Sequence, residues 1–207
     1  MPFHPFGPAY RIETPRVILR CWEPADTPAL RVLLADNLEH LRPWVPWIAD
    51  EPKPVEEKLR EVRGWRAAFD LDHMWNYALL SAEDGAVAGN LVICRASPDA
   101  VDLGGWVGHD RGRRGFHTEA AAAGARAAFE ALGITRVQAC CEAENERSIA
   151  LMRKLGFTHE ATPRYQLDGR RVDDMTWSIL ADEWPATPAA AFAAPARAWD
   201  ALGNRLF

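Results

Sequence analysis

Three strand-like runs stand in close succession, MWNYALLS (74–81), AVAGNLVICR (86–95) and VDLGGWV (101–107), and only afterwards does the chain turn to helix. The first two flank AEDG, a turn signal, and read as a hairpin. GFHTEAAAAGARAAFEAL (115–132) is a helix on its alanine content alone, with Gly133 as its stop. RVQACCEA (136–143) reads as a buried strand and NERSIALMRKL (145–155) as a second helix, ended by Gly156. A block of antiparallel strands passing into helix–strand alternation points to an α/β fold: a mixed, mostly antiparallel central sheet flanked by helices.

The flanks fit that frame. RVILRCW (16–22) alternates like a strand, and EPADTPALRVLLADN follows as a helix capped by Asp26 or Thr27, with Pro28 in its first turn and Leu30, Leu33 and Leu34 on one face. VEEKLREVRGWRAAF (55–69) repeats apolar residues at helical spacing. LRPWVPW (41–47) contains Pro43 and Pro46 and is expected to be a loop carrying Trp44 and Trp47. THEATPRYQL and RRVDDMTWSIL make a terminal hairpin around Asp168-Gly169. Beyond Trp184 the composition shifts. PATPAAAFAAPA reads as a Pro/Ala-rich linker, and ARAWDALGNRLF as a short helix with Trp199, Leu202 and Leu206 on one side. The expected organisation is one domain over 10–184 and an extension over 185–207 whose final helix docks on its own core or across a dimer interface.

The stretch RGRRGFHTEA (111–120) gathers Arg111, Arg113 and Arg114 around Gly112 and Gly115, just before a helix, in a chain of net charge −5. It could be an RNA-binding motif, a charged turn capped by Asp110, or a loop that holds phosphates. The acidic balance argues against general nucleic-acid binding, which needs a broad basic face. A strand, a glycine loop and a helix N-terminus in that order form a natural anion site, because the first helical amides lack partners and the helix dipole is positive there. The loop is neither a Walker A sequence nor a GxGxxG dinucleotide fingerprint. The four cysteines, Cys21, Cys94, Cys140 and Cys141, include no CxxC pair and read as reduced thiols, with no disulfide frame or metal site. No apolar run approaches the ~20 residues of a membrane span, and MPFHPFGPAY lacks the regions of a signal peptide. A cytoplasmic protein, without membrane or nucleic-acid partners, is expected.

The second stretch narrows the reading. NERSIALMRKLGF (145–157) follows a strand, Asn145 can cap its helix, and Ser148 lies one turn inside. Together with RGRRGFHTEA, and with ETPRVILRCWEPAD, LRPWVPW, VDLGGWV and DGRRVDDMTWSIL, it resembles the GNAT superfamily of acetyl-CoA-dependent N-acetyltransferases, more narrowly its RimJ/RimL-like branch. The resemblance implies an acyltransferase fold over roughly 10–184. It also implies acetyl-CoA as co-substrate, no metal, and an amine acceptor that is a ribosomal or other protein N-terminus or a small molecule. It leaves room for a homodimer.

Residue by residue, the resemblance places the CoA pyrophosphate on Gly112, Arg113, Arg114, Gly115, Phe116, His117 and Thr118. Gly112 stands where the family usually has Gln or Arg, and His117 where it has a small residue. The pantetheine arm would meet the backbone of Trp106 and Val107 and the side chain of Asn145, as an added strand. Ser148 matches the hydroxyl near the CoA sulfur and is the candidate acid; its plainer role is a bond back to its own helix. The thioester carbonyl would be polarised by an amide near Val107 or Gly108. Asp102 is the candidate base, through water, or simply an exposed strand carboxylate; Asp173 and Asp174 are the others. Trp44, Trp47 and Trp75 could wall the acceptor site or pack in the core. His73, His109 and His159 show no partner in the sequence. A non-catalytic acyl-CoA-binding or regulatory module of the same fold is the alternative, and an RNA-associated protein the third.

Overall fold

The computed structural model describes residues 7–111, 114–167 and 169–207; Gly112, Arg113 and Asp168, on which three of these expectations fall, lie outside them. The elements in chain order are β1 (Arg11–Glu13), β2 (Val17–Cys21), α1 (Thr27–Asp36), α2 (Leu38–Leu41), α3 (Val55–Asp70), β3 (Met74–Ser81), β4 (Val87–Ser97), β5 (Ala100–Val107), α4 (Phe116–Arg126), β6 (Arg136–Glu142), α5 (Glu146–Leu155), β7 (Thr158–Ala161), β8 (Arg164–Leu167), β9 (Arg170–Leu180), α6 (Pro188–Ala193) and β10 (Arg197–Trp199). Short 3-10 turns precede α1 and α6, and another spans Pro46–Asp50.

The strands join in one sheet, ordered β10-β1-β2-β3-β4-β5-β6-β9-β7, with β8 paired to β9. Every pairing is antiparallel except β5 with β6. That parallel pair holds only over Ala100–Asp102 against Arg136–Gln138. Beyond it β5 continues along β4 to Val107, β6 continues along β9 to Glu142, and the two strands part. The sheet is therefore split between β5 and β6.

Helices cover both faces. The larger core packs α4, α5 and α6 on Leu91, Ile93, Val101, Leu103, Val137 and Ala139. The smaller one packs Leu30, Leu34, Leu41, Ile48 and Val62 on Trp22, Ala78 and Trp106. Residues Ala120–Ala123 and Ala125 are all buried, so α4 has hardly a solvent face over that run. Its small side chains let it lie close to the sheet. A Cβ on Gly124 would sit 2.5 Å from Leu91 Cδ2.

The C-terminal segment corrects the sequence reading twice. PATPAAAF is no linker: Thr187 caps α6 by accepting from Ala190 N at 3.2 Å, Pro188 sits in the first turn, and Ala189 and Ala193 are buried. The last residues are no helix either. Arg197–Trp199 pairs with β1 as an edge strand, Ile12 opposite Ala198. Asp200 then accepts from the amides of Leu202 (2.9 Å) and Asn204 (2.8 Å), and Gly203 takes a positive φ of 80°. An Asx turn with a glycine competes well against helix. It leaves Leu202 81 % exposed, so the apolar face suggested by Trp199, Leu202 and Leu206 does not form.

Candidate active site at the parting of two strands

The site begins at the start of α4. Gly115 precedes the helix with φ 83°, the left-handed conformation that a side chain disfavours. Arg16, just before β2, lies against it. Its Nη1 donates to the Arg114 carbonyl (2.8 Å) and its Nε to Glu119 (2.5 Å). Glu119 is 5 % exposed and also accepts from Thr14 Oγ1 (2.6 Å) and the Arg16 amide (3.0 Å), so a buried carboxylate fixes the guanidinium. A cleft of about 350 Å³ opens here, lined by Arg16, Val107, Arg111, Arg114, Gly115, Phe116, His117, Thr118 and Lys154. Four cationic side chains and the amides of a helix start thus face one space, which suits a polyphosphate. Lys154 reaches across from α5 toward Thr118 Oγ1 at 3.4 Å. Burial pushes the His117 imidazole down to about 4, so this ring lines the cleft uncharged.

The second part is the opening itself. The Trp106 amide donates to Asn90 Oδ1 at 3.3 Å, and the Gly108 amide to the Ala88 carbonyl at 2.8 Å; both point toward β4. Strand alternation turns the backbone groups of Val107, and of Gly105 before it, the other way, into the gap. Of the pair read from the sequence for pantetheine, Val107 faces the opening and Trp106 does not. Gly108 is likewise unable to polarise a carbonyl there. Behind Trp106 runs a buried chain: Asn90 Nδ2 donates to Asn76 Oδ1 (3.2 Å), which also accepts from Trp22 Nε1 (3.1 Å).

Across the gap, Asn145 caps α5 by accepting from the Ser148 amide at 3.1 Å, and Ser148 is half-buried in the first turn. Asp102 sits at the closed end, held by Gln138 Nε2 at 2.8 Å. It lies five strand residues before Val107, about 17 Å at the usual rise per residue, which is beyond one-water reach of an amine near Val107. Asp173 is engaged by Arg171 (2.7 Å), and burial raises the Asp174 carboxyl. Trp44 and Trp47 are 36 % and 44 % exposed on the turn after α2. Trp75 is fully buried in the larger core and offers an acceptor no surface, because β3 is covered on both faces. Sequence reasoning gave no role to Arg16 or Lys154. Arg16 lay within a quoted motif, but no local spacing links it to a loop about a hundred residues on.

Residues 16–158 match the model of the acetyltransferase (GNAT) domain family. A Bacillus subtilis (strain 168) protein named as a ribosomal N-acetyltransferase, YdaF, is 29 % identical over 177 residues, which covers 81 % of this chain and 93 % of that protein. Mycobacterium smegmatis RimJ, solved with a CoA disulfide, is similar with a TM-score of 0.77 and 25 % identity, over 95 % of this chain and 99 % of that one. The ribosomal L7/L12 α-N-protein acetyltransferase RimL, solved with CoA, is 21 % identical with a TM-score of 0.74, over 82 % and 96 % of the two chains. A split sheet, an amide edge facing the split and a cationic helix start are the parts an acyl-CoA needs, and the chain belongs to the GNAT family of acetyl-CoA-dependent N-acetyltransferases.

Proposed function

We propose that the chain acetylates the α-amine of a protein N-terminus, with ribosomal proteins as the acceptors to test first, in the cytoplasm. The observation that carries this reading is the opening between β5 and β6 beyond Asp102, with the Val107 backbone on one side and Ser148 on the other. Acetyl-CoA would lay its diphosphate on the Gly115–Thr118 turn and its pantetheine along Val107, reaching Asn145. The amides of Gly105 and Val107 are placed to polarise the thioester carbonyl, and the Ser148 hydroxyl to donate to the leaving thiolate. Direct attack in a ternary complex fits the thiols nearby. Burial pushes the Cys141 thiol up to about 11, which leaves it protonated and a poor acyl carrier. Trp44 and Trp47, exposed beside α2, offer apolar surface to a peptide that follows the reacting amine. The names of YdaF and RimL support this acceptor class.

The test is thiol release from acetyl-CoA over peptides with free alanine or serine N-termini, their N-blocked versions, and small amines. Turnover on the free-amine peptides with none on the blocked ones is expected. Turnover confined to small amines would replace the reading. A homodimer would use a face other than the β1 edge, since β10 already covers that edge within the chain.

A further inference from the structure

β5 ends at Val107 and α5 begins at Glu146, on opposite sides of the opening, and one side chain bridges them. The ring of His40, on α2, lies beside the main chain of Val107. Its Nδ1 lies 3.4 Å from Nη1 of Arg147, the residue before Ser148. His109 packs edge-on against the ring, centroids 5.5 Å apart. The position is built rather than incidental. Asn37, 4 % exposed at the start of α2, donates to the Leu33 carbonyl (2.8 Å) and accepts from the His109 amide (2.7 Å). Leu41, one residue after His40, is buried in the smaller core. The Asp102 carboxylate, by contrast, stands far down the strand.

We propose that His40 is the base of the reaction, taking the proton of the amine that enters between Val107 and Ser148. The proposal rests on the N-acetylation reading above. The amine arrives as an ammonium group and gives one proton to the imidazole, which passes it to solvent. Its lone pair then forms the C–N bond, the C–S bond breaks, and the second proton leaves the nitrogen for the thiolate by way of Ser148. The products are the amide, the CoA thiol and one released proton.

His40 is suited to accept that proton. Burial, Arg147 and His109 each hold its pKa below the usual imidazole value, and the nearby Val107 main chain offsets only part of this, so the ring is neutral near pH 7. Among the described residues, Arg147 from α5 and His109 from the turn after β5 are the charged or titratable groups that face it; on α2 itself, Glu39 pairs with Arg42 (2.8 Å). A guanidinium can only donate, so the Nδ1 that faces Arg147 carries the ring's lone pair. The contact on that side, with the exposed Arg147, is long enough for an amine to displace it.

The experiment compares wild type, His40→Gln and Arg147→Ala in thiol release from acetyl-CoA with alanine- and serine-initiated peptides, from pH 5 to 9, alongside calorimetric CoA affinity. His40→Gln should lose about 100-fold in kcat/KM for the peptide, the scale of a general base, with CoA affinity kept. Its acid limb should vanish, and added imidazole should restore part of the rate. Arg147→Ala should move the acid limb to higher pH, because a cation that holds the imidazole low is gone. If His40→Gln keeps the wild-type rate and limb, or the Arg147→Ala limb stays in place, the proposal is wrong and the acetyltransferase reading stands. If wild type itself transfers to neither peptide, the acceptor reading fails and this proposal falls with it.

Discussion

Replacing Gly115 by alanine puts the phosphate loop to a quantitative test. The residue sits at φ 83°, and an ideal Cβ there would lie 2.7–2.8 Å from the three terminal atoms of the Arg16 guanidinium. Two costs follow. Left-handed backbone costs a non-glycine residue about 1–2 kcal/mol. Arg16 must also move, which weakens a charge-assisted bond to the Arg114 carbonyl; that side chain is half-exposed, so water recovers much of the loss and about 1 kcal/mol remains. The sum of roughly 2–3 kcal/mol corresponds to a fall of about 4–12 °C in melting temperature for a chain of this size. CoA affinity should fall further than stability alone requires, because the amides proposed to meet the diphosphate turn with the loop. One lost or misdirected amide bond to an ionised oxygen, about 1.5–3 kcal/mol, predicts a loss of tenfold or more. Isothermal titration with CoA, next to thermal melts, measures both. Gly115→Asn separates the causes: asparagine tolerates left-handed backbone but carries the same Cβ, so it should recover part of the stability and keep the collision. Unchanged CoA affinity in folded Gly115→Ala protein would refute the phosphate reading of this loop.

Other substitutions read other parts of the molecule. His117 is held down to about 4 against an ordinary 6.5, so its folded form binds fewer protons than its unfolded form between those values; stability should be lost as pH falls from about 6.5 to 4, and thermal melts of His117→Gln should show a flatter profile there. Ser148→Ala should lower kcat more than it raises KM for acetyl-CoA, with the helix cap intact because Asn145 bonds the Ser148 amide rather than its hydroxyl; a full kcat in steady-state assays would return Ser148 to a structural role. Deleting residues 188–207 removes α6, buried alanines and the cover on β1, so the melting temperature should drop by several degrees; an unchanged value would show that the tail adds nothing to the fold.

What the sequence disclosed follows the range of each interaction. The alanine run of α4, the glycine stop of α5 and the hairpin around residue 169 are local facts, and the structure has all three. Trp75 shows where a local pattern stops helping. In β3 every residue from Trp75 to Ser81 is buried, since helices cover both faces, and alternation therefore cannot mark an inner from an outer side. The tail shows the converse error: Trp199, Leu202 and Leu206 keep helical spacing by accident, while the partner that decides the outcome, the free edge of β1, lies at the far end of the chain. The opening between β5 and β6 has no local signature. Nothing in VDLGGWV or RVQACCEA says that pairing stops at Asp102, because register is a property of two strands together.

Both ends of the chain anchor α4. A helix of alanines buries little apolar area per residue, so large side chains cannot fix it by interlocking. It is held by close approach along its length, with Gly124 against Leu91, and by an arginine at either end. At its start, Arg16 from the N-terminal strands binds Glu119 and the Arg114 carbonyl. At its finish, Arg126 donates to the carbonyls of Ala193 (3.2 Å) and Ala196 (3.3 Å), and its guanidinium stacks 4.1 Å from the Phe207 ring. The first and last segments of the chain therefore act on the same helix. The N-terminal clamp lies within the cleft proposed for CoA, while the C-terminal one lies farther along the helix, which is why loosening the tail should lower the melting temperature well before it weakens CoA binding.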